Sequence, residues 1–256
     1  MKRARFQVAG KTHQGAWRDG RLVDADGTPY AEEAVTWLPP LQPGTIIGLA
    51  LNYRDHAEEL GLALPETPVL FIKAPNTLIG HRAPVTAPEG VRYMHYEAEL
   101  GVVIGRAGRR VARADAMTHV GGYTIVNDVT VRDFVTNMYR PPIKAKGFDT
   151  FGPIGPWLVE DEITDPHSLE VRTFVNGELR QQGNTNDLIF DIPAIIEYIT
   201  DFMTIRPGDV ILTGTPKGIS HIYPGDTVRI EIGGLGALEN PIVADHHPDH
   251  EERSPL

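Results

Sequence analysis

The sequence predicts an α+β fold that is mostly β, with few helices and a small N-terminal β meander. Three observations carry this prediction. From residue 44 onward, short runs of β-branched and apolar residues alternate with Gly/Pro turns. One long stretch has clear helical spacing, and residues 1–43 break into short runs at Gly and Asp turn positions.

Taken in order, "RFQVAGKTHQGAWRDGRLVDADGTPY" supplies the meander. "WLPPLQPGT" reads as a linker, because its prolines and glycine fit no regular element. "LNYRDHAEELG" predicts a short helix with Asn52 as N-cap and Gly61 as its left-handed stop. "VLFIKAP", "ELGVVIG", "GGYTIVND", "LEVRTFVNGELRQ", "DVILTG" and "TVRIEIGG" predict strands, with a hairpin turn at Asn176-Gly177 and "PGD" turns at Pro207 and Pro224. "IKAKGFDTFGPIGP" is dense in Gly and Pro and predicts a shaped loop instead of a strand. In "DLIFDIPAIIEYITDFMTI", Leu188, Ile192, Ile195, Ile196, Ile199 and Met203 fall near helical spacing, and Pro193 in the first turn sets the start at Ile192. The expected parts are a small β domain over 1–43, a catalytic domain over 44–243 and a polar tail over 244–256.

At 256 residues the chain can bury a substantial core. Its net charge of −10, with no Lys/Arg block to reverse it locally, speaks against nucleic-acid and anionic-membrane partners. The chain has no cysteine, which removes disulfides, thiolate zinc sites, iron–sulfur clusters and a cysteine nucleophile. Oxygen or imidazole must therefore hold any metal. "MKRARFQVAG" lacks the apolar core of a signal peptide, and no apolar run approaches the roughly 20 residues of a membrane span, so a soluble, cytoplasmic protein is expected.

In "MHYEAELGVVIG", Glu97 and Glu99 share one strand face, about 7 Å apart along the backbone. At an effective dielectric near 20 they repel by roughly 2 kcal/mol, before desolvation. Either the pair faces water on a half-exposed strand, or a divalent cation joins it. Asp128, at the end of "GGYTIVND", can bring a third carboxylate from a neighbouring strand, and three carboxylates without thiols suit Mg²⁺ first, then Mn²⁺ or Ca²⁺. On the short helix, His56 and Glu59 lie on one face, where the carboxylate orients the imidazole as a base or forms a routine surface pair. Lys146 sits in the Gly/Pro-rich loop; Thr213 and Thr215 in "TGTPKG" offer hydroxyls and backbone N–H groups suited to a carboxylate or enolate oxygen. Arg132 and Arg140 can grip an acidic ligand or stand solvated, and His246, His247 and His250 form a tail cluster that can hold metal adventitiously.

The ordered set "LNYRDHAEE", "FIKAPNTLIG", "YEAELGVVIG", "NDVTVRD", "KGFDTFGPIGP", "VNGELRQ" and "TGTPKG" resembles the fumarylacetoacetate hydrolase superfamily over about residues 44–243. The resemblance implies a mixed β-roll of the family's C-terminal type, few helices and a homodimer. It implies Glu97, Glu99 and Asp128 as ligands of Mg²⁺ or Mn²⁺, His56 and Glu59 as a base dyad on a segment that closes over substrate, and Lys146 as a catalytic cation. Arg132, Thr215, Asn52, Tyr53 and Arg140 are implied around a 2-oxo dicarboxylate, with Arg140 at its distal end. "LNYRDHAEEL", "KAPNTL", "YMHYEAEL", "YRPPIKAK" and "RTFVNGELRQQG" are most similar to the branch that isomerises and decarboxylates unsaturated 2-oxo and 2-hydroxy dicarboxylic acids in 4-hydroxyphenylacetate catabolism. An acylpyruvate or fumarylpyruvate hydrolase and an oxaloacetate decarboxylase are the alternatives on the same metal site.

Overall fold

The computed structural model describes residues 1–135 and 141–245. The first 43 residues form β1 (Lys2–Val8), β2 (Lys11–Arg18), β3 (Arg21–Asp24), β4 (Pro29–Tyr30) and β5 (Thr36–Leu38). Ala9-Gly10 and Asp19-Gly20 close the first two hairpins with both residues at positive φ, the turn geometry that matches strand twist.

β6 (Ile46–Ala50), α1 (Arg54–Glu59), β7 (Val69–Lys73), β8 (Leu78–Ile79), β9 (Val85–Ala87) and β10 (Met94–His95) follow. β11 (Ala98–Ile104), β12 (Val120–Asn127), β13 (Thr130–Val131), the short α2 (Ile143–Lys146) and β14 (Gly152–Val159) complete the middle of the chain. The last part holds β15 (Glu170–Val175), β16 (Glu178–Asn184), α3 (Ile192–Phe202), β17 (Val210–Leu212), β18 (Thr227–Ile232) and β19 (Gly236–Ala244).

The largest sheet has 12 strands, in the order β4-β3-β2-β1-β14-β12-β11-β17-β6-β7, with β5 on β1 and β8 on β14. A second sheet runs β16-β15-β18-β19-β9, and β10 pairs with β13. β6–β17, β8–β14 and β9–β19 pair in parallel, so the sheets are mixed, as predicted. Leu100, Val102 and Ile104 of β11, Ile192, Ile195, Ile196 and Ile199 of α3, and Val228, Ile230 and Ile232 of β18 belong to one buried cluster. Each such side chain contributes about 1.5–3 kcal/mol when fully buried. α3 starts at Ile192 as expected, with Asp191 accepting from Ala194 N at 2.9 Å.

Two expectations are corrected. Residues 152–156, the end of the stretch whose Gly and Pro content predicts a loop, belong to β14 in the interior of the large sheet. The β12–β14 register shifts between Tyr123 and Ile125, opposite the stretch from Gly155 to Val159 that holds Pro156, an irregularity that relaxes the demand for ladder donors there. The N-cap of α1 is Tyr53, not Asn52, whose side chain turns away to other partners described below.

The three tryptophans meet where the N-terminal strands join the sheet: Trp157 of β14 lies 5.5 Å from Trp17 and 6.2 Å from Trp37, centroid to centroid. Among the described residues, no helix is long and apolar enough to cross a membrane.

Candidate metal centre

Strand register builds the site. β11 and β12 pair with Ala98 opposite Asn127, so Glu97 and Asp128, the next residues outward, stand side by side, and Asp128 N donates to Glu97 O at 2.9 Å. Asn127 Oδ1 accepts from Glu97 N at 3.0 Å and holds the backbone there. On the other flank, β17 pairs Leu212 with Gly101. Continuing that register brings Gly214 to Glu99, where its N–H donates to Oε2 at 2.6 Å. Gly214 has φ +94°, and a Cβ there would come 3.0 Å from Asn52 Cβ, so glycine meets both demands.

Glu97, Glu99 and Asp128 are all buried, and each offers an oxygen within 4.8 Å of the others. Oxygens bound to one hard divalent ion at about 2.0–2.6 Å are separated by at most about 4–5 Å, so the spacing fits such an ion. The glutamates therefore do not face water.

Lysines supply the countercharge. Lys146, on α2, donates to Glu97 Oε2 at 2.7 Å, Asp128 Oδ2 at 2.6 Å and Thr130 Oγ1 at 2.8 Å. Lys73, at the end of β7, donates to Asp128 Oδ1 at 2.7 Å and to the Lys146 carbonyl at 2.8 Å. Burial pushes the Asp128 carboxyl up, but the two ammonium groups together outweigh it and hold the pKa below its usual value. Burial likewise works against Lys146, and Asp128 and Glu97 reverse the effect and raise it. Lys146 therefore keeps its proton, and its three donors are engaged: it acts here as a fixed charge. Lys73 moves the other way, because its complete burial prevails over the pull of Asp128.

Glu99 has no lysine partner among the described residues. Burial, then the charges of Asp128 and Glu97, push its carboxyl well above the ordinary range. This unbalanced buried acid is the feature that a cation resolves. Because a cation binds the carboxylate and not the acid, protons compete with metal. Mn²⁺ affinity is expected to rise about tenfold per pH unit until pH passes the raised Glu99 pKa, and titrations from acid pH upward check the slope.

Lys73 was missed in the sequence, although a lysine closing the apolar run "VLFIK" is the signal. Its removal in Lys73→Met leaves one Asp128 oxygen and the Lys146 carbonyl without a donor. Unfolding in urea is expected to show a loss of about 3 kcal/mol, at the lower end for a broken buried pair because Lys146 still holds Asp128. Added Mn²⁺ should restore part of that loss.

α1 forms a second wall. His56 is buried, with Nδ1 3.0 Å from Glu59 Oε2, while Glu59 Oε1 accepts from Gly218 N at 3.0 Å. Nε2 of His56 makes no hydrogen bond among the described residues. Arg54 donates to Leu188 O at 3.0 Å, so α1 is anchored on two segments.

Arg132 donates to Glu97 Oε1 at 3.4 Å and is partly exposed. Thr215 Oγ1 accepts from Gln181 Nε2 at 2.8 Å, which leaves its own O–H to donate; Gln181 had no sequence signal beyond its place on a predicted strand. Asn52 donates to Phe190 O and Thr213 O and accepts from Phe190 N, so it ties three segments together. The Tyr53 hydroxyl is buried without a hydrogen-bond partner among the described residues, and burial followed by the Glu99 charge raises its pKa. Arg140, His246, His247 and His250 lie outside the described residues.

The mixed β fold thus holds three buried carboxylates that can hold a hard divalent ion, two lysines bonded to them and a histidine–glutamate pair on α1. The chain belongs to the fumarylacetoacetate hydrolase family, its residues 45–243 matching the fumarylacetoacetate (FAA) hydrolase C-terminal domain. The resemblance read from the motifs is thereby borne out. The chain is 53% identical over 214 residues to the 4-hydroxyphenylacetate degradation bifunctional isomerase/decarboxylase of Salmonella dublin, covering 83% of this chain and 50% of that protein. It thus spans about half the length of the curated relatives it matches. Among solved structures, 5-carboxymethyl-2-hydroxymuconate delta-isomerase from Mycobacterium smegmatis superimposes with a TM-score of 0.86 at 38% identity, covering 96% of this chain and 100% of that one. Maleylpyruvate hydrolase from Sphingobium sp. SYK-6, in complex with manganese(II) ion and pyruvate, gives a TM-score of 0.82 at 29% identity with the same coverage.

Proposed function

We propose that the chain catalyses the isomerisation, decarboxylation or both of unsaturated 2-oxo or 2-hydroxy dicarboxylic acids in 4-hydroxyphenylacetate catabolism, with Mg²⁺ or Mn²⁺ at Glu97, Glu99 and Asp128. The observation that carries this reading is the charge of the site. Lys73, Lys146 and Arg132 bond to Glu97 and Asp128, so these three cations and the three ionised carboxylates balance, and a divalent ion adds two positive charges to be matched. A dicarboxylate dianion matches them. The 53% identity to the isomerase/decarboxylase supports the same substrate class.

When bound, the ion supplies a Lewis acid that polarises the 2-oxo group. Arg132 and the Thr215 hydroxyl bind the adjoining carboxylate, and Lys73 and Lys146 hold Asp128 and Glu97 in place. Glu59 accepts the Nδ1 proton of His56 and so leaves the Nε2 lone pair to take a proton from one carbon of the conjugated chain and return it to another. In decarboxylation, the electron pair of the breaking carbon–carbon bond enters the same conjugated chain, and protonation follows. Hydrolysis of an acylpyruvate is the second reading: Nε2 of His56, without a hydrogen bond among the described residues, can equally deprotonate water, and maleylpyruvate hydrolase shares the fold.

The test is to add Mn²⁺ to chelator-treated protein and follow 2-hydroxyhepta-2,4-diene-1,7-dioate by ultraviolet absorbance, with carbon dioxide release from its carboxymethyl precursor measured beside it. Metal-dependent loss of the diene is expected. Inertness on both compounds, with cleavage of acylpyruvates, would replace the proposal by the hydrolase.

A further inference from the structure

Two imidazoles beside the carboxylates have no part in the chemistry above. His95 and His221 face each other across an isolated antiparallel bridge, with ring centroids 5.0 Å apart. The Tyr93 ring stands edge-on to His221 at 4.4 Å. All four imidazole nitrogens are shielded from solvent, and none has a hydrogen-bond partner among the described residues. A neutral imidazole carries one N–H donor and one acceptor, and leaving such a buried group unpaired costs about 1–3 kcal/mol. Two unsatisfied rings side by side point to a ligand that brings an acceptor for both donors.

Their position says which ligand. His95 stands two residues before Glu97, an interval of about 7 Å along an extended chain, which a few carbon atoms bridge. On β10, His95 pairs with Thr130 of β13, whose hydroxyl accepts from Lys146 at 2.8 Å, so strand pairing sets the ring beside the segment that holds the lysine of the carboxylates.

We propose that His95 and His221 form the subsite for the second carboxylate of a dicarboxylate whose 2-oxo end sits at Glu97, Glu99 and Asp128. This rests on the function proposed above and adds the end group that the site selects. Each imidazole donates one N–H to the distal carboxylate. An acid that ends in a methyl group leaves both donors unpaired, and a site built to hydrogen-bond a group discriminates strongly against the analogue that lacks it.

Calorimetry on the Mn²⁺-loaded full chain tests this with 2-oxoheptanedioate and 2-oxoheptanoate, which differ only at the far end. The unmodified protein, His95→Phe and His221→Phe are compared, because phenylalanine keeps the ring and removes the N–H. The unmodified protein is expected to favour the dicarboxylate. Each variant should lose about tenfold or more in dicarboxylate affinity, with 2-oxoheptanoate and Mn²⁺ affinities unchanged, the latter reporting an intact site. A preference that persists in both variants, or a loss shared equally by the two acids, overturns the subsite alone. Metal-dependent binding of neither acid to the unmodified protein overturns the proposed function and the subsite with it.

Discussion

Replacing Glu99 by Gln is expected to abolish Mn²⁺ binding and turnover while leaving the stability of the metal-free protein within about 0.5 kcal/mol of the unmodified chain. Glu99 is the carboxylate of the three without a lysine partner among the described residues, and its surroundings raise its pKa well above the ordinary carboxylate range. Below that raised pKa the neutral amide replaces a neutral acid of the same shape, and its oxygen still accepts from Gly214 N. What is lost is the negative charge that the cation requires. Affinity should fall by more than the roughly 10- to 100-fold that loss of an outer-shell partner costs. Asp128→Asn provides the contrast, because Asp128 bonds to two buried lysines. Removing its charge leaves Lys73 without a carboxylate partner and Lys146 with Glu97 alone, and stability should drop by about 3–5 kcal/mol along with metal binding. Urea unfolding and Mn²⁺ titration of the two variants check the pair. A Glu99→Gln variant that still binds Mn²⁺ and turns over normally would remove Glu99 from the ligand set.

Glu59→Gln should cost nearly as much turnover as His56→Ala, on the order of 10²- to 10⁴-fold, with Mn²⁺ affinity retained in both. Gly218 N–H points at Glu59 Oε1, so an amide in this position must turn its oxygen to Gly218 and its NH₂ to His56. The imidazole is then forced to accept at Nδ1 and carry its proton on Nε2, the nitrogen that has to act as base. Metal affinity and the pH–rate profile distinguish this from structural damage. Wild-type turnover in Glu59→Gln would show that Nε2 is not the proton acceptor.

Local signals carried much of this to the sequence level. Alternation around Glu97 and Glu99 and the spacing of His56 and Glu59 report contacts within a few residues. Asn176-Gly177 and the Asp191-capped helix are likewise local. Lys73 shows the limit: its meaning comes from Asp128 and from the Lys146 carbonyl, both far along the chain, and nothing beside it specifies those partners. Asn52 was read as a local cap because Asn commonly is one, whereas its partners are Phe190 and Thr213, brought to it by the packing of α1. β14 was hidden by composition, since Pro and Gly ordinarily break strands, and a register shift on a neighbouring strand is not encoded within 152–159. His95 and His221 drew no reading because neither has a partner in sequence; only their juxtaposition makes them conspicuous.

The tryptophan cluster has an optical consequence. All three tryptophans of the chain stand at one junction, between the N-terminal strands and β14, and none is among the residues that form the metal centre. Intrinsic emission is therefore a gauge of whether the first strands remain seated on the large sheet. Loading the carboxylates should leave the emission maximum in place, while loosening of residues 1–43 should shift it to the red. A denaturation curve followed by fluorescence thus reports one seam of the molecule, and its comparison with loss of metal shows whether that seam opens before the centre does.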